Sequence, residues 1–191
     1  MSQTFHRRWV DDRLICLDVA RGRYFEERHD DGAASSSVPA SNGSCEFDFI
    51  DDIASDLPDA PVRRRWLPQA LLSIALARLA VRILSFHTLV WLVGGRIQDD
   101  VPSRANLLVR DASWQATRRW LPLRKKCLPD SLALLLFLRW TGAPGRLVIG
   151  VTGRPFTAHC WVVSGSLVVN EPAEDVRRFT TILTTPCPHV S

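Results

Sequence analysis

Polar and apolar residues alternate in three short runs at the start of the chain, "HRRWV" (6–10), "RLICLDV" (13–19) and "RYFEER" (23–28). A period of two is that of strands, and Asp11-Asp12 and Ala20-Arg21-Gly22 between the runs suit tight turns, so the pattern predicts a three-stranded meander. Residues 32–44, "GAASSSVPASNGS", are low in complexity, lack core-forming side chains apart from Val38, and read as a flexible loop or linker. Phe49, Ile50, Ile53 and Leu57 then recur at helical spacing, predicting a short helix over 46–57 that carries acidic residues outward and ends before Pro58.

The pattern changes after the Pro- and Arg-containing stretch 59–65. From Trp66 to Gly95 apolar residues dominate, interrupted by Arg78 and Arg82, four apart on one helical face. The charge-free runs on either side fall short of the roughly 20 residues a membrane span needs. One or two core helices with a bend near Ser85–His87 are therefore expected rather than a transmembrane segment, with association to a membrane surface as the lesser alternative. Helices over about 105–120 and 129–140 follow, separated by Pro122, and the "GAPG" turn closes the second. Three strand-like runs come last, 146–151, 157–163 and 166–171. Helices followed by an antiparallel sheet make an α+β fold. Two units are expected: a module over 1–60, too small to bury much surface alone, and a larger domain over 61–191.

Charge narrows the function classes. The net charge of +4 comes with only short basic clusters, Arg63–Arg65, Arg118-Arg119 and Arg124–Lys126, which read as solvated helix ends and loops rather than a nucleic-acid footprint. The five cysteines are odd in number, and "MSQTFHRRWVDDRL" has no apolar signal core. Free thiols and a reducing cytoplasm are the expectation. No CxxC or HExxH occurs, so no metal or other cofactor is expected in this chain.

The chemistry centres on "KKCLPD". Pro129 suits the first turn of a helix, which sets Cys127 at the helix N-terminus behind Arg124, Lys125 and Lys126. Unsatisfied amides, the helix dipole and the neighbouring cations all favour a thiolate there. The competing reading is an inert cysteine at the edge of the core. Acyl transfer by a thiolate also needs an acid/base and a group that orients it. His159, in "TAHCWVV", is the candidate base, although a histidine in an apolar strand is more often a satisfied core residue. Alternation puts His159, Trp161 and Val163 on one face and Cys160 on the other, which makes Cys160 the poorer nucleophile. Cys187, in "TTPCPHV", reads as a tail residue. The next strand ends in Asn170-Glu171. A two-residue Ser164-Gly165 loop sets Asn170 opposite His159; a three-residue Ser164–Ser166 loop sets Glu171 there. Amide and carboxylate are both workable, and periodicity leaves the choice open.

Cysteine at a helix start, histidine in a strand as "AHxWV" and an acid at the end of the following strand resemble the transglutaminase-like (papain-like) cysteine peptidases. More narrowly, "RKKCLPDSLALLLFLRWTG", "LVIGV" and "FTAHCWVVSGSLVVNE" resemble the lasso-peptide biosynthesis B proteins over roughly residues 66–180. The N-terminal "DDRLICLDVARGRYFE" is similar to their leader-recognition module, a winged-helix-like, strand-rich element. The resemblance implies a leader peptidase acting on a ribosomally made precursor peptide. It also implies a partner cyclase, similar to asparagine synthetase, that uses ATP to close a macrolactam on the new N-terminus. Carried onto this chain, Cys127 is the nucleophile, His159 the general base and Glu171 the acid. Two positions depart from the family: its acid is usually Asp, and Ala is commoner where this chain has Cys160. The alternatives are another acyl or amide transferase of the same fold and a peptide-binding module without catalysis.

Overall fold

The computed structural model describes residues 5–11, 13–27, 51–52, 60–94 and 103–185. The N-terminal meander forms as predicted: β1 (Phe5–Val10), β2 (Arg13–Asp18) and β3 (Arg23–Glu27) make an antiparallel sheet in the order β1-β2-β3. Gly22 allows the β2–β3 turn with a positive φ of 61°, and Asp18 Oδ1 accepts the Arg21 amide inside that turn at 3.1 Å. The helix expected over 46–57 is corrected at Asp51-Asp52, which form a short strand, β4, with backbone pairing to Leu167-Val168. Residues 46–50 and 53–57, like the linker 32–44, lie outside the described residues.

Four longer helices follow: α1 (Leu67–Ile83), α2 (Phe86–Val93), α3 (Arg104–Trp120) and α4 (Cys127–Trp140). The bend expected near Ser85 is the α1–α2 junction, where the Ser85 hydroxyl caps α2 by accepting the Thr88 amide at 3.2 Å. Strands β5 (Arg146–Thr152), β6 (Thr157–Ser164) and β7 (Leu167–Val168) come next, then a short helix α5 (Ala173–Arg177) and β8 (Thr180–Thr184). The last two were not expected, although "TTILTT" is a β-branched run.

The second sheet has the order β4-β7-β6-β5-β8, antiparallel except for the parallel β4–β7 pair. Its two faces carry separate apolar clusters. Cys160, Val162, Ile149 and Val151 pack with the buried sides of α1 and α4, including Ile74, Leu134 and Leu138. Trp161, Val163, Val148 and Val168 pack under Val176 and Phe179 on the opposite face. This division follows the period-two alternation of β6. The result is an α+β domain with its main helices on one face of the sheet.

The N-terminal sheet seats closely on this domain. A Cβ at Gly22 would lie 2.9 Å from Cβ of Phe86, and one at Gly153 would run into the Asp11 carboxylate. Gly150, directly opposite His159 on β5, leaves room for the Trp161 ring and Phe179, which would sit 2.7 and 2.8 Å from an added Cβ. Gly150→Ala is therefore expected to lower unfolding stability by about 1–3 kcal/mol through overpacking. Urea denaturation that gives the wild-type midpoint for the variant refutes this close fit.

Candidate active site

Helix α4 begins at Cys127, with Pro129 in its first turn. Its start is fixed by one carboxylate. Asp130 Oδ2 accepts the Lys126 amide at 3.1 Å while the Asp130 amide donates back to the Lys126 carbonyl at 3.1 Å. The same carboxylate is gripped by Arg118 of α3, through Nε at 3.2 Å and Nη2 at 3.1 Å, and by Arg78 Nη2 of α1 at 3.1 Å. Both guanidiniums also reach the backbone before α4, Arg118 at the Leu123 carbonyl and Arg78 at the Arg124 carbonyl, each at 3.0 Å. Three helices and the loop 121–126 thus converge on the turn that presents Cys127. Nothing in the sequence reading singled out this clamp. Asp130 in a first turn reads only as a favourable charge at a helix N-terminus.

Strand β6 offers Cys127 an unfinished edge. Of the residues of β6 only Val163 and Ser164 pair with β7, so among the described residues the first half of β6 lacks a neighbour on that side. The Val162 carbonyl on this edge accepts the Val169 amide at 3.0 Å, and the Cys160 carbonyl, two residues back, faces the same way. It is taken by the Ser131 hydroxyl at 3.0 Å, one turn after Cys127 on α4. The edge at residue 160 therefore lies against the first turns of α4. There the Cys127 thiol meets the Cys160 side chain and backbone N–H as well as the His159 imidazole. A thiol at a strand edge can be reached from both faces, which is how two oppositely directed neighbours converge on it.

Both hairpin registers considered from the sequence are corrected. Ser164 pairs with Leu167 and Val163 with Val168 around a Gly165-Ser166 loop, with Gly165 at φ 61°. Neither Asn170 nor Glu171 is placed by a ladder, because the chain leaves the sheet after Val169. Asn170 Oδ1 instead accepts the Val162 amide at 2.8 Å, standing in for the backbone acceptor that a continued strand would supply. Glu171, free of the ladder, brings Oε1 to 3.4 Å from His159 Nε2. That leaves Nδ1 of the imidazole for the sulfur. The ring is held from behind by Phe179, with centroids 5.3 Å apart, and by Trp161 at 6.2 Å.

The charges follow from these contacts. Hydrogen bonding from Cys160, then from His159, holds the Cys127 pKa down at about 4 against the opposing effect of burial. The His159 pKa is raised to about 9, first by Cys127 and then by Glu171. A thiolate–imidazolium pair results. Cys160 is pushed the other way, because the adjacent Cys127 and burial both disfavour a second thiolate. It stays a thiol and serves as a donor, so the residue read from the sequence as the poorer nucleophile is in contact with the reactive sulfur. Lys125 and Lys126, offered as thiolate stabilisers, are absent from the interactions that set the Cys127 charge. Cys187 lies outside the described residues. Among those described, no group of His, Cys, Asp and Glu is arranged to hold a metal ion.

Tyr24 of β3 also reaches this region. Burial raises its pKa, with smaller contributions from Cys160 and Cys127, and its ring lies 5.6 Å from that of Phe156, just ahead of β6. A cavity of about 170 Å³ opens here between the two sheets, lined by residues of β2 and β3 together with Gly153 and Phe156.

The family model described as the transglutaminase-like superfamily matches residues 70–184, which span α1 to β8 and all the residues around the thiol except Tyr24. No curated protein and no solved structure matches the chain.

Two outcomes test the geometry. Iodoacetamide labelling of Cys127, followed by peptide mass mapping, is expected to rise with thiolate formation near pH 4 and to stay level until His159 titrates near 9. Removing the S–H donor with Cys160→Ala should move the acid limb to higher pH, whereas a limb left in place refutes that contact. Asp130→Ala leaves two guanidiniums, one of them buried, without their shared anion, so stability should fall by about 3 kcal/mol. An unchanged thermal midpoint contradicts the clamp.

Proposed function

We infer that this chain, which belongs to the transglutaminase-like superfamily, is a cysteine peptidase that removes the leader from a ribosomally made lasso-peptide precursor. The observation that carries an enzymatic reading is the paired Cys127 thiolate and His159 imidazolium, with Glu171 3.4 Å from the far side of the ring. The narrower substrate assignment is supported by the resemblance of "RKKCLPDSLALLLFLRWTG" and "FTAHCWVVSGSLVVNE" to the lasso-peptide B proteins.

In this reading Cys127 Sγ attacks the carbonyl carbon at the leader–core junction and forms a tetrahedral oxyanion. The Cys127 and Leu128 amides precede the first helical hydrogen bond of α4 and are suited to receive that charge. Collapse to the thioester breaks the C–N bond as His159 passes its proton to the departing amine. Neutral His159 then takes a proton from water as the hydroxyl adds to the thioester carbonyl, and collapse releases the leader acid and restores the thiolate. Glu171 keeps Nδ1 of the ring turned to the sulfur and stabilises the imidazolium. No step draws on a cofactor.

Residues 1–60 serve as the leader-recognition module in this proposal. The seating of the meander beside the β5–β6 turn, with Tyr24 close to the thiol, supports a substrate that touches both units. The freed core passes to a separate asparagine-synthetase-like cyclase, which supplies the ATP requirement of the system. The whole reaction is placed in the cytoplasm.

The test is to incubate the wild-type chain with a lasso precursor, with and without cyclase and ATP, and weigh the products. Release of leader is expected from the wild type, a loss of about 10⁴-fold from Cys127→Ala, and of about 10²-fold from Glu171→Ala. Leader release by Cys127→Ala at the wild-type rate ends the peptidase assignment. A wild type that joins added amines to the acyl group in preference to water identifies an acyl transferase instead.

A further inference from the structure

Helix α1 is apolar on both sides. Its buried side, Ala70, Ser73, Ile74 and Ala77, faces the core, chiefly α4. On its opposite side Leu72, Leu76, Leu79 and Ile83 follow one another at intervals of four, three and four residues, all in solvent, with Ile83 68% exposed. Such spacing keeps four large side chains within one narrow arc of a helix. Trp91, 74% exposed, and Leu92 extend exposed apolar surface onto α2. A helix apolar all round is ordinarily covered all round, and apolar patches of this extent mark interaction surfaces. The stretch Arg64–Ile83 is long and apolar enough to cross a bilayer by length and composition. However, Arg78 near its middle is bound to Asp130 and the Arg124 carbonyl, and one side of α1 is committed to the core. Only its outer side is available.

Charge decides between occupants. From Ala60 to Gly94 there are five arginines and no aspartate or glutamate. Arg82 borders the apolar arc, and Arg64 stands exposed just ahead of α1. A second copy of this chain docked by the same face would bring like charges together with no acidic residue on either copy's α1 or α2 to pair with them. A helical partner is normally specified by flanking charges of both signs, which this seam lacks. An anionic lipid surface meets both requirements: it attracts the arginines, and it accepts aliphatic side chains and an indole at the headgroup level.

We propose that the outer face of α1 and α2 docks in the plane of an anionic membrane surface, with Leu72, Leu76, Leu79, Ile83, Trp91 and Leu92 entering the headgroup–acyl boundary. The Asp130 clamp faces away from this surface, so the protein rests on the membrane by one helix side without unfolding or spanning it. The proposal is independent of which peptide the thiol acts on.

The experiment uses the full chain and sucrose-loaded vesicles of phosphatidylcholine, alone or mixed with phosphatidylglycerol. Cosedimentation is expected with the mixed vesicles, weakened by salt, and little with phosphatidylcholine alone. Leu76→Glu with Leu79→Glu, both at solvent-exposed positions, should reduce the bound fraction at least about tenfold. Iodoacetamide labelling of Cys127 at its wild-type rate will show that this variant remains folded. No sedimentation with mixed vesicles, or equal binding by the double variant, overturns the proposal. A dimer in sedimentation velocity that the same substitutions dissociate assigns the face to a second copy and overturns it as well.

Discussion

The Asp130 carboxylate is the point on which the arrangement of this molecule turns. Arg78 lies in α1, Arg118 in α3 and Lys126 at the start of α4, and one side chain joins all three. Helices packed through leucine and alanine surfaces can slide or rotate against each other at small cost. A carboxylate shared between two guanidiniums and a backbone amide tolerates far less, because each hydrogen bond depends on direction and a displaced partner is left with a poorly solvated charge. Arg118 is 6% exposed, so water compensates little for a lost contact. The clamp therefore does for orientation what the hydrophobic contacts of α4 cannot do alone. It also explains an apparent contradiction in "KKCLPD", where lysines stand beside the thiol but an aspartate determines where the thiol goes.

The second constraint is the interrupted ladder beside β6. A full-length β7 would close the edge to which Cys127 comes, and its backbone would take the Val162 and Cys160 groups that now serve other purposes. The chain instead leaves the sheet after Val169. Asn170 replaces one missing acceptor and Ser131 supplies one missing donor. The buried backbone is thereby satisfied without an adjoining strand, as it must be. The same departure releases Glu171 from strand geometry and lets it approach His159. The open edge and the freed carboxylate are both consequences of one short strand.

His159 completes the coupling between these two constraints. Its protonated state is favoured by the thiolate that the clamp delivers and by the glutamate that the interrupted ladder releases. Trp161 and Phe179 hold the plane of its ring, and the absence of a side chain at Gly150 gives those rings their room. Cys160 contributes from the other face of the strand as a neutral donor. The thiolate thus rests on contacts from a helix start, two adjacent strand residues and, through the imidazole, the end of a hairpin. The exposed α1–α2 surface lies on the side of α1 away from this network, to which Arg78 contributes from the same helix.

Much of this was readable along the chain. Period-two and period-3.6 patterns placed three N-terminal strands, the helices from residue 67 to 140 and strands β5 and β6, because those patterns record one-sided burial within a single element. Pro129 behind Cys127 and the apolar run after it located the helix start that carries the thiol. Where partners are distant in sequence, the pattern was silent. Asp51-Asp52 sit among residues at helical spacing yet pair with β7. The Gly165-Ser166 loop followed neither register drawn from strand alternation, and Glu171 reached His159 because the ladder had already ended. The clamp from Asp130 to Arg78 and Arg118 spans 52 and 12 residues and leaves no periodic trace. Residue order alone thus determined which elements form and that a helix-start cysteine and a strand histidine were available. Only the tertiary structure decided their contacts, because a hydrogen bond or an ion pair depends on distance and direction in space, and neither is encoded by the spacing of residues within one element.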